Sequence, residues 1–230
     1  MDTTAIQTAI TRILGTLPEG VSLVAVSKFH PAEAVLEAYA CGQRLFGENR
    51  PKELAEKAKV LPGDIRWHFI GHLQTNKLKM VLPYAALVES VDSVRLLDAI
   101  IEYVRSGRNL FHEDGVARIL LELHLGEEES KHGLSRDEIM SIIQKKASGL
   151  LPEVEIMGLM GMATNTDDTG KIRGEFHSIR QLFDEIKERY PSMDSFRELS
   201  IGMSGDYPIA MEEGATIVRI GTTIFGARQY

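Results

Sequence analysis

Residues 22–30 read SLVAVSKFH, a run of apolar, strand-forming side chains that ends in a lysine, Lys28. A lysine at the rim of a buried strand either turns its charge to water or keeps an amine for chemistry. To act as a nucleophile the amine must be neutral, a state favoured by partial desolvation and by neighbouring cations. Its characteristic product is then a Schiff base with a carbonyl compound. Two later stretches carry a different chemistry. SIGMSGD (200–206) and RIGTTIFG (219–226) combine glycines at 202, 205 and 221 with the hydroxyls of Ser204 and Thr222. Such glycines let a backbone approach an anion and present its N–H groups, which suits a phosphate. Either stretch alone reads equally well as turn glycines and helix caps.

These groups act together only if a fold brings them together. The chain alternates short apolar runs with amphipathic stretches, and LVAVS, LFGE, WHFIG, LVES, ILLELHL, IMGLMG, ELSIG and TIVRIG make eight candidate strands. Between them AEAVLEAYA, SVRLLDAIIEYV, SRDEIMSIIQKKA and GEFHSIRQLFDEIKERY space apolar residues three and four apart, as helices packed on a core do. A further helix is expected over residues 3–16. Continuous apolar strands separated by helices imply a parallel sheet covered on its outer face, and eight βα units close a barrel. The expectation is therefore an α/β protein: one TIM-type (β/α)8 barrel domain over residues 1–230, with an extra N-terminal helix. Its least regular parts are the short, Gly-containing second strand and the charged loop GEEESKHG after the fifth.

In a barrel the residues just past each strand share one mouth, where ligand sites form. Strands one to four would deliver Ser27 with Lys28, Glu48 with Asn49, His72, and Asp92. Strands five to eight would deliver His124, Met162, Met203 with Ser204, and Arg219 with Gly221 and Thr222. Closure makes strand one the neighbour of strand eight, so Lys28 reaches the same mouth as Arg219 and the phosphate cup. A helix beginning near Tyr207 or Thr222 would add the positive end of its dipole to that cup. A phosphate, an amine and an arginine together suggest pyridoxal 5′-phosphate, with Lys28 in the Schiff base and Arg219 facing the pyridine nitrogen. A guanidinium cannot accept the pyridinium proton, so the ring nitrogen stays neutral and the cofactor is a weaker electron sink. That suits holding the cofactor, or a racemase that needs little delocalisation into the ring.

The same residues fall in a recognisable order. VAVSK, FGEN, WHFIGHLQTNK, SKHG, GLM, LSIGMSGD and VRIGTTIFGAR, from about residue 21 to the C-terminus, resemble the pyridoxal phosphate homeostasis proteins. The resemblance implies the alanine-racemase-like barrel, fold type III among pyridoxal phosphate proteins, without the second, mostly β domain of alanine racemases. It implies Lys28 as the Schiff-base lysine, Arg219 at the pyridine nitrogen, Asn49 beside the ring, and Met203, Ser204, Gly221 and Thr222 around the phosphate. For function it implies carriage rather than turnover: storage, protection or delivery of pyridoxal phosphate and related B6 vitamers, with pyridoxal-phosphate-dependent apoenzymes as recipients. The chain departs from the family pattern in reading GENRPKE for GENRVQE. It also reads ELH for QVN or QIN after strand five, which puts His124 where an asparagine is usual.

Composition narrows the rest. A formal net charge of -7 argues against a non-specific nucleic-acid binder, which needs a surplus of Lys and Arg. The polar opening MDTTAIQTAI suggests neither a signal peptide nor a membrane anchor, so a cytoplasmic protein is expected. The charged outer helices favour a monomer. A single cysteine, Cys41, reads as a packed side chain. His68 and His72 have no carboxylate or cysteine set to complete a metal sphere, so no metal is expected. Lys77 and Lys79 read as the solvated face of a short helix, and Lys131 either as a solvated loop lysine or as one that receives an aldehyde. Two rival readings remain. In a low-activity amino-acid racemase Tyr207, His72 or His124 would supply an acid/base on the face opposite Lys28; in a phosphosugar aldolase Lys28 would act without cofactor and Arg219 would go unexplained.

Overall fold

The computed structural model describes residues 4–125 and 133–227. Eight parallel strands close into a barrel in sequence order. They are β1 (Ser22–Val26), β2 (Leu45–Glu48), β3 (Arg66–Phe69), β4 (Ala85–Val91), β5 (Ala117–Glu122), β6 (Val154–Met160), β7 (Glu198–Met203) and β8 (Ile217–Ile220). Each of the eight anticipated runs is a strand. Closure rests on four register pairs, Ser22 with Ile217 through Ala25 with Ile220.

The helices follow local signals. α1 (Ala5–Leu14) starts at a capping box, Thr4 with Gln7, and so begins and ends two residues inside the expected limits of 3–16. α2 (Ala32–Ala40) and α3 (Pro51–Val60) follow β1 and β2, and a single 3-10 turn at Thr75–Lys77 leads into α4 (Leu78–Val81). α5 (Val94–Arg105) is capped by Ser93, and α6 (Arg136–Ala147) by a Ser135–Glu138 capping box. α7 (Thr169–Arg189) is capped by Asp168 and starts five residues before the apolar period predicts, because the first turn is polar. α8 (Tyr207–Glu212) and α9 (Thr222–Phe225) are the short helices expected after strands seven and eight. α3 went unread in the sequence: PKELAEKAKV buries only Leu54, Ala55 and, unexpectedly, Lys57.

Two cores result. The large one lies between sheet and helices. A smaller cluster of Val24, Val26, Leu87, Leu120, Met160 and Ile217 lies inside the barrel. Strand alternation then assigns sides: Val24 and Val26 face the interior, whereas Ser27, still paired to Gly47, continues the helix-side row of Leu23 and Ala25. Of the loop GEEESKHG, residues 126–132 lie outside the described residues, and with them Lys131. Among the described residues no helix is long and apolar enough to cross a membrane.

Gly158 in β6 has φ +154°, and a Cβ there would stand 1.8 Å from the Glu198 carbonyl oxygen on β7. Gly158→Ala is therefore expected to lower unfolding free energy by about 3 kcal/mol or more. Gly174→Ala, in α7 with nothing within 4 Å, should raise it by roughly 0.5–1 kcal/mol. Urea denaturation of the two variants checks both signs.

Candidate functional site

Lys28 leaves β1 inside a tight turn. The Ser27 carbonyl accepts the His30 N–H at 3.1 Å, which places Lys28 and Phe29 at the two central positions. Phe29 has φ +66° and is the non-glycine with positive φ among the described residues. Lys28 itself is half-buried and engaged in at least one interaction of its own.

The expected mouth list needs three corrections. Ser27 and Glu48 do not face the mouth; both turn outward, where the Ser27 hydroxyl donates to Glu48 Oε1 at 2.6 Å. Arg219 does not follow β8 but lies within it, 3% exposed, on the interior side that it shares with Ile217. The reason is parity: in a strand buried on both faces, apolar runs do not show which residues point inward. Because Arg219 pairs in register with Val24, the end of β1 at Val26 and the turn carrying Lys28 beyond it lie nearer the rim. Arg219 thus lies in the floor of the interior, and the Lys28 turn lies at its rim.

The glycine stretches form a cradle between these levels and the α8 and α9 termini. Gly202 has φ +91°, and a Cβ there would meet the Ala210 Cβ at 2.5 Å, so the turn out of β7 packs directly on α8. The Met203 N–H donates to Asp206 Oδ1 at 2.5 Å. The Gly221 N–H reaches Ser204 Oγ at a long 3.3 Å, joining the two stretches. A Cβ at Gly221 would lie 3.1 Å from the Val26 carbonyl oxygen, so glycine suits the close approach of the β8 exit to β1. Thr222 is exposed, Ser204 half-buried and Met203 37% exposed, so the rim stays open to solvent. On the adjoining wall Asn49 Oδ1 is buried with no hydrogen-bond partner. A buried acceptor without a donor is costly unless something else supplies one. That orphan, with the glycine cradle, fits a flat polar ligand bearing a phosphate.

Sequence reasoning missed the polar floor. Arg219 donates to Ser200 Oγ at 2.5 Å and to the Gly161 carbonyl at 2.9 Å, and its guanidinium stands 3.6 Å from Glu89 Oε2. Ser200 donates in turn to Glu89 Oε2 at 2.5 Å, and Glu89 Oε1 lies 2.5 Å from His68 Nδ1. Burial pushes the Glu89 carboxyl up, but the His68 hydrogen bond and the charges of His68 and Arg219 outweigh it and hold it below the usual carboxylate range. The signal available was a lone acid, Glu89, inside an apolar strand. Nearby, burial, with the Asp92 charge adding to it, raises the Glu122 carboxyl to about 7 against the pull of Arg219.

A second missed cluster lies under β1. Lys57, buried on α3, donates to the Ser27 carbonyl at 2.8 Å, Glu48 Oε1 at 2.7 Å and Glu53 Oε1 at 2.8 Å. Glu48 is fully buried, and burial raises its carboxyl to about 7 despite Lys57 and Ser27. His68 is packed, as expected, while His72 stands half-exposed at the mouth with Nδ1 2.6 Å from Asp92 Oδ2. His124 and Tyr207 are half-buried, and Lys77 and Lys79 are exposed. Cys41 packs against the core with its thiol 3.4 Å from the Glu37 carbonyl.

A closed parallel barrel with lysine at the β1 exit and a glycine cradle after β7 and β8 defines a class. The alanine racemase N-terminal domain family matches residues 1–229. Within it, the chain belongs to the pyridoxal phosphate homeostasis protein family. It is 37% identical to the pyridoxal phosphate homeostasis protein of Aquifex aeolicus, over 90% of this chain and 87% of that one. Identity to the human protein of the same name is 41%, over 90% of this chain and 77% of that one. The structure of PipY from Synechococcus elongatus with pyridoxal phosphate bound is similar at TM-score 0.84 and 34% identity, covering 96% of this chain and 100% of PipY.

Glu48 makes a pH test possible. Its folded pKa, about 7, lies above the ordinary 4.5, so between those values the folded chain keeps a proton that the unfolded chain has released. Stability from this group is present at low pH and is lost as pH rises through about 7. Glu48→Gln should therefore gain on wild type, by on the order of 2 kcal/mol, between pH 4.5 and 7.5. Urea titrations of both proteins across that range measure the difference.

Proposed function

We propose that this protein holds pyridoxal 5′-phosphate as a Schiff base on Lys28 and takes part in intracellular homeostasis of that cofactor, by storing it, protecting it or delivering it to apoenzymes. The observation that carries the reading is the vertical arrangement of one barrel interior: buried Arg219 below, the Gly202–Ser204 and Gly221–Thr222 cradle beside it, and Lys28 at the rim. When bound, the cofactor supplies an aldehyde that condenses reversibly with an amine and releases water.

Each residue has a stated part. Lys28 provides the amine from the half-buried turn at the β1 exit. Ser204, Gly221 and Thr222 hold the phosphate through hydroxyls and backbone N–H groups, with the Met203 backbone shaping the turn. Asn49, whose Oδ1 is buried and unpartnered, sits beside the ring. Arg219, fixed by Ser200, Gly161 and Glu89, faces the pyridine nitrogen as a permanent cation. A cation there leaves the ring nitrogen without a proton, which favours holding over carbanion chemistry. The names of the A. aeolicus and human relatives, and the cofactor in PipY, support the same reading.

Borohydride reduction followed by intact mass tests it. Wild type should gain the mass of one reduced pyridoxyl phosphate per chain and lose its visible absorbance band, and Lys28→Ala should do neither. A wild type that stays colourless and unmodified with added cofactor would falsify the reading. Turnover of L-alanine or another amino acid by the loaded protein would instead move the assignment to a racemase.

A further inference from the structure

The turn that carries Lys28 is built from a residue unsuited to it. A β-turn with positive φ at its second central position takes glycine or asparagine there, because a Cβ is strained in the left-handed region. Here that position is Phe29, φ +66°. A bulky residue persists in such a conformation only where its surroundings impose it.

The surroundings do so at each backbone group with a recorded partner. The Ser27 N–H donates to the Gly47 carbonyl at 3.0 Å, and the Ser27 carbonyl accepts both the His30 N–H and Lys57 Nζ. The Phe29 N–H donates to Glu53 Oε1 at 2.8 Å, and Lys57 Nζ meets that same oxygen at 2.8 Å. One helical turn of α3 therefore grips the peptide units on both sides of Lys28. Beyond the backbone, the Arg50 guanidinium sits 4.3 Å over the Phe29 ring, and His30 stacks on Phe225 of α9 at 5.3 Å. That last contact ties the lysine turn to the helix that follows Gly221.

We propose that Glu53 and Lys57 are positioning residues for Lys28, holding the Ser27–His30 turn in its left-handed form so that the amine points into the barrel toward the cradle. A relaxed Phe29 would rotate the peptide next to Lys28 and swing the amine off that line. The inference rests on the cofactor reading above and adds to it a source of reactivity outside the pocket. Neither side chain touches the ligand site, and both act through the backbone of the turn.

The test measures how fast the Schiff base forms. Wild type, Glu53→Ala, Glu53→Gln and the double variant Glu53→Ala with Phe29→Gly are mixed with pyridoxal 5′-phosphate, quenched with borohydride at intervals and weighed intact. Thermal melts without ligand run in parallel. Glu53→Ala should form the adduct about tenfold more slowly or worse. Glu53→Gln, whose side-chain oxygen still accepts the Phe29 N–H, should stay within about twofold of wild type. Phe29→Gly should restore the rate in the Glu53→Ala background, because glycine enters the left-handed region without a brace. Should Glu53→Ala not fold, Lys57→Met fills a similar volume and slows the adduct in the same sense by releasing the Ser27 carbonyl.

A wild-type rate in Glu53→Ala, or equal slowing in the alanine and glutamine variants with no recovery from glycine, overturns the positioning role and leaves the cofactor assignment standing. Absence of any adduct on wild type overturns both.

Discussion

Closure of the barrel between β1 and β8 is the constraint on which the site depends. Without it Lys28 and Arg219 would sit on opposite edges of an open sheet, nearly two hundred residues apart in sequence. Closure puts Val24 beside Arg219 and sets the turn that carries Lys28 on the rim above it. It also explains Gly221: the β8 exit passes the Val26 backbone so closely that a Cβ would be crowded there. The same narrow seam that completes the sheet thus shapes the cradle.

A barrel this small has little interior to spare, and much of its upper half is ionic. A buried guanidinium is tolerable only with a carboxylate and further hydrogen bonds to satisfy it. Glu89 supplies the charge, Ser200 bridges the two, and His68 completes the carboxylate's bonds on the far side. The four residues come from β8, β4, β7 and β3, so the network also braces the barrel across its width. The cluster of Lys57, Glu48 and Glu53 does comparable work outside the sheet, binding α3 to the β1 and β2 exits. Both networks place charge where apolar packing would serve stability better, which is the usual mark of a site whose geometry matters more than its burial.

How much of this could be read from the sequence follows from which physical signals are local. Strands buried on both faces appear as continuous apolar runs, so all eight were legible, and Lys28 stood out because it breaks such a run. The glycine stretches were legible because their composition suits both a turn and an anion. Parity was not legible: in IVRI or LVES nothing local says which side Arg219 or Glu89 takes, and Arg219 was expected at the rim rather than in the floor. Lys57 was hidden for another reason. A lysine in a charged helix defaults to solvent, and only the fold shows that its amine meets the Ser27 carbonyl. Phe29 was equally hidden, since a phenylalanine after a lysine carries no hint of positive φ.

The two buried networks bear on what kind of protein this is. An enzyme that shuttles protons on both faces of a ring needs an acid/base opposite its lysine and an electron sink within the ring. On the proposed reading the group facing the ring nitrogen is Arg219, a buried guanidinium 3.6 Å from Glu89 Oε2 that carries donors only. The titratable groups around the mouth, His72 with Asp92 and the raised carboxyl of Glu122, come from three different strand exits. What the fold does fix with many bonds is the backbone on either side of Lys28. On the proposed reading, rigid presentation of one amine over a guanidinium floor suits reversible capture of an aldehyde.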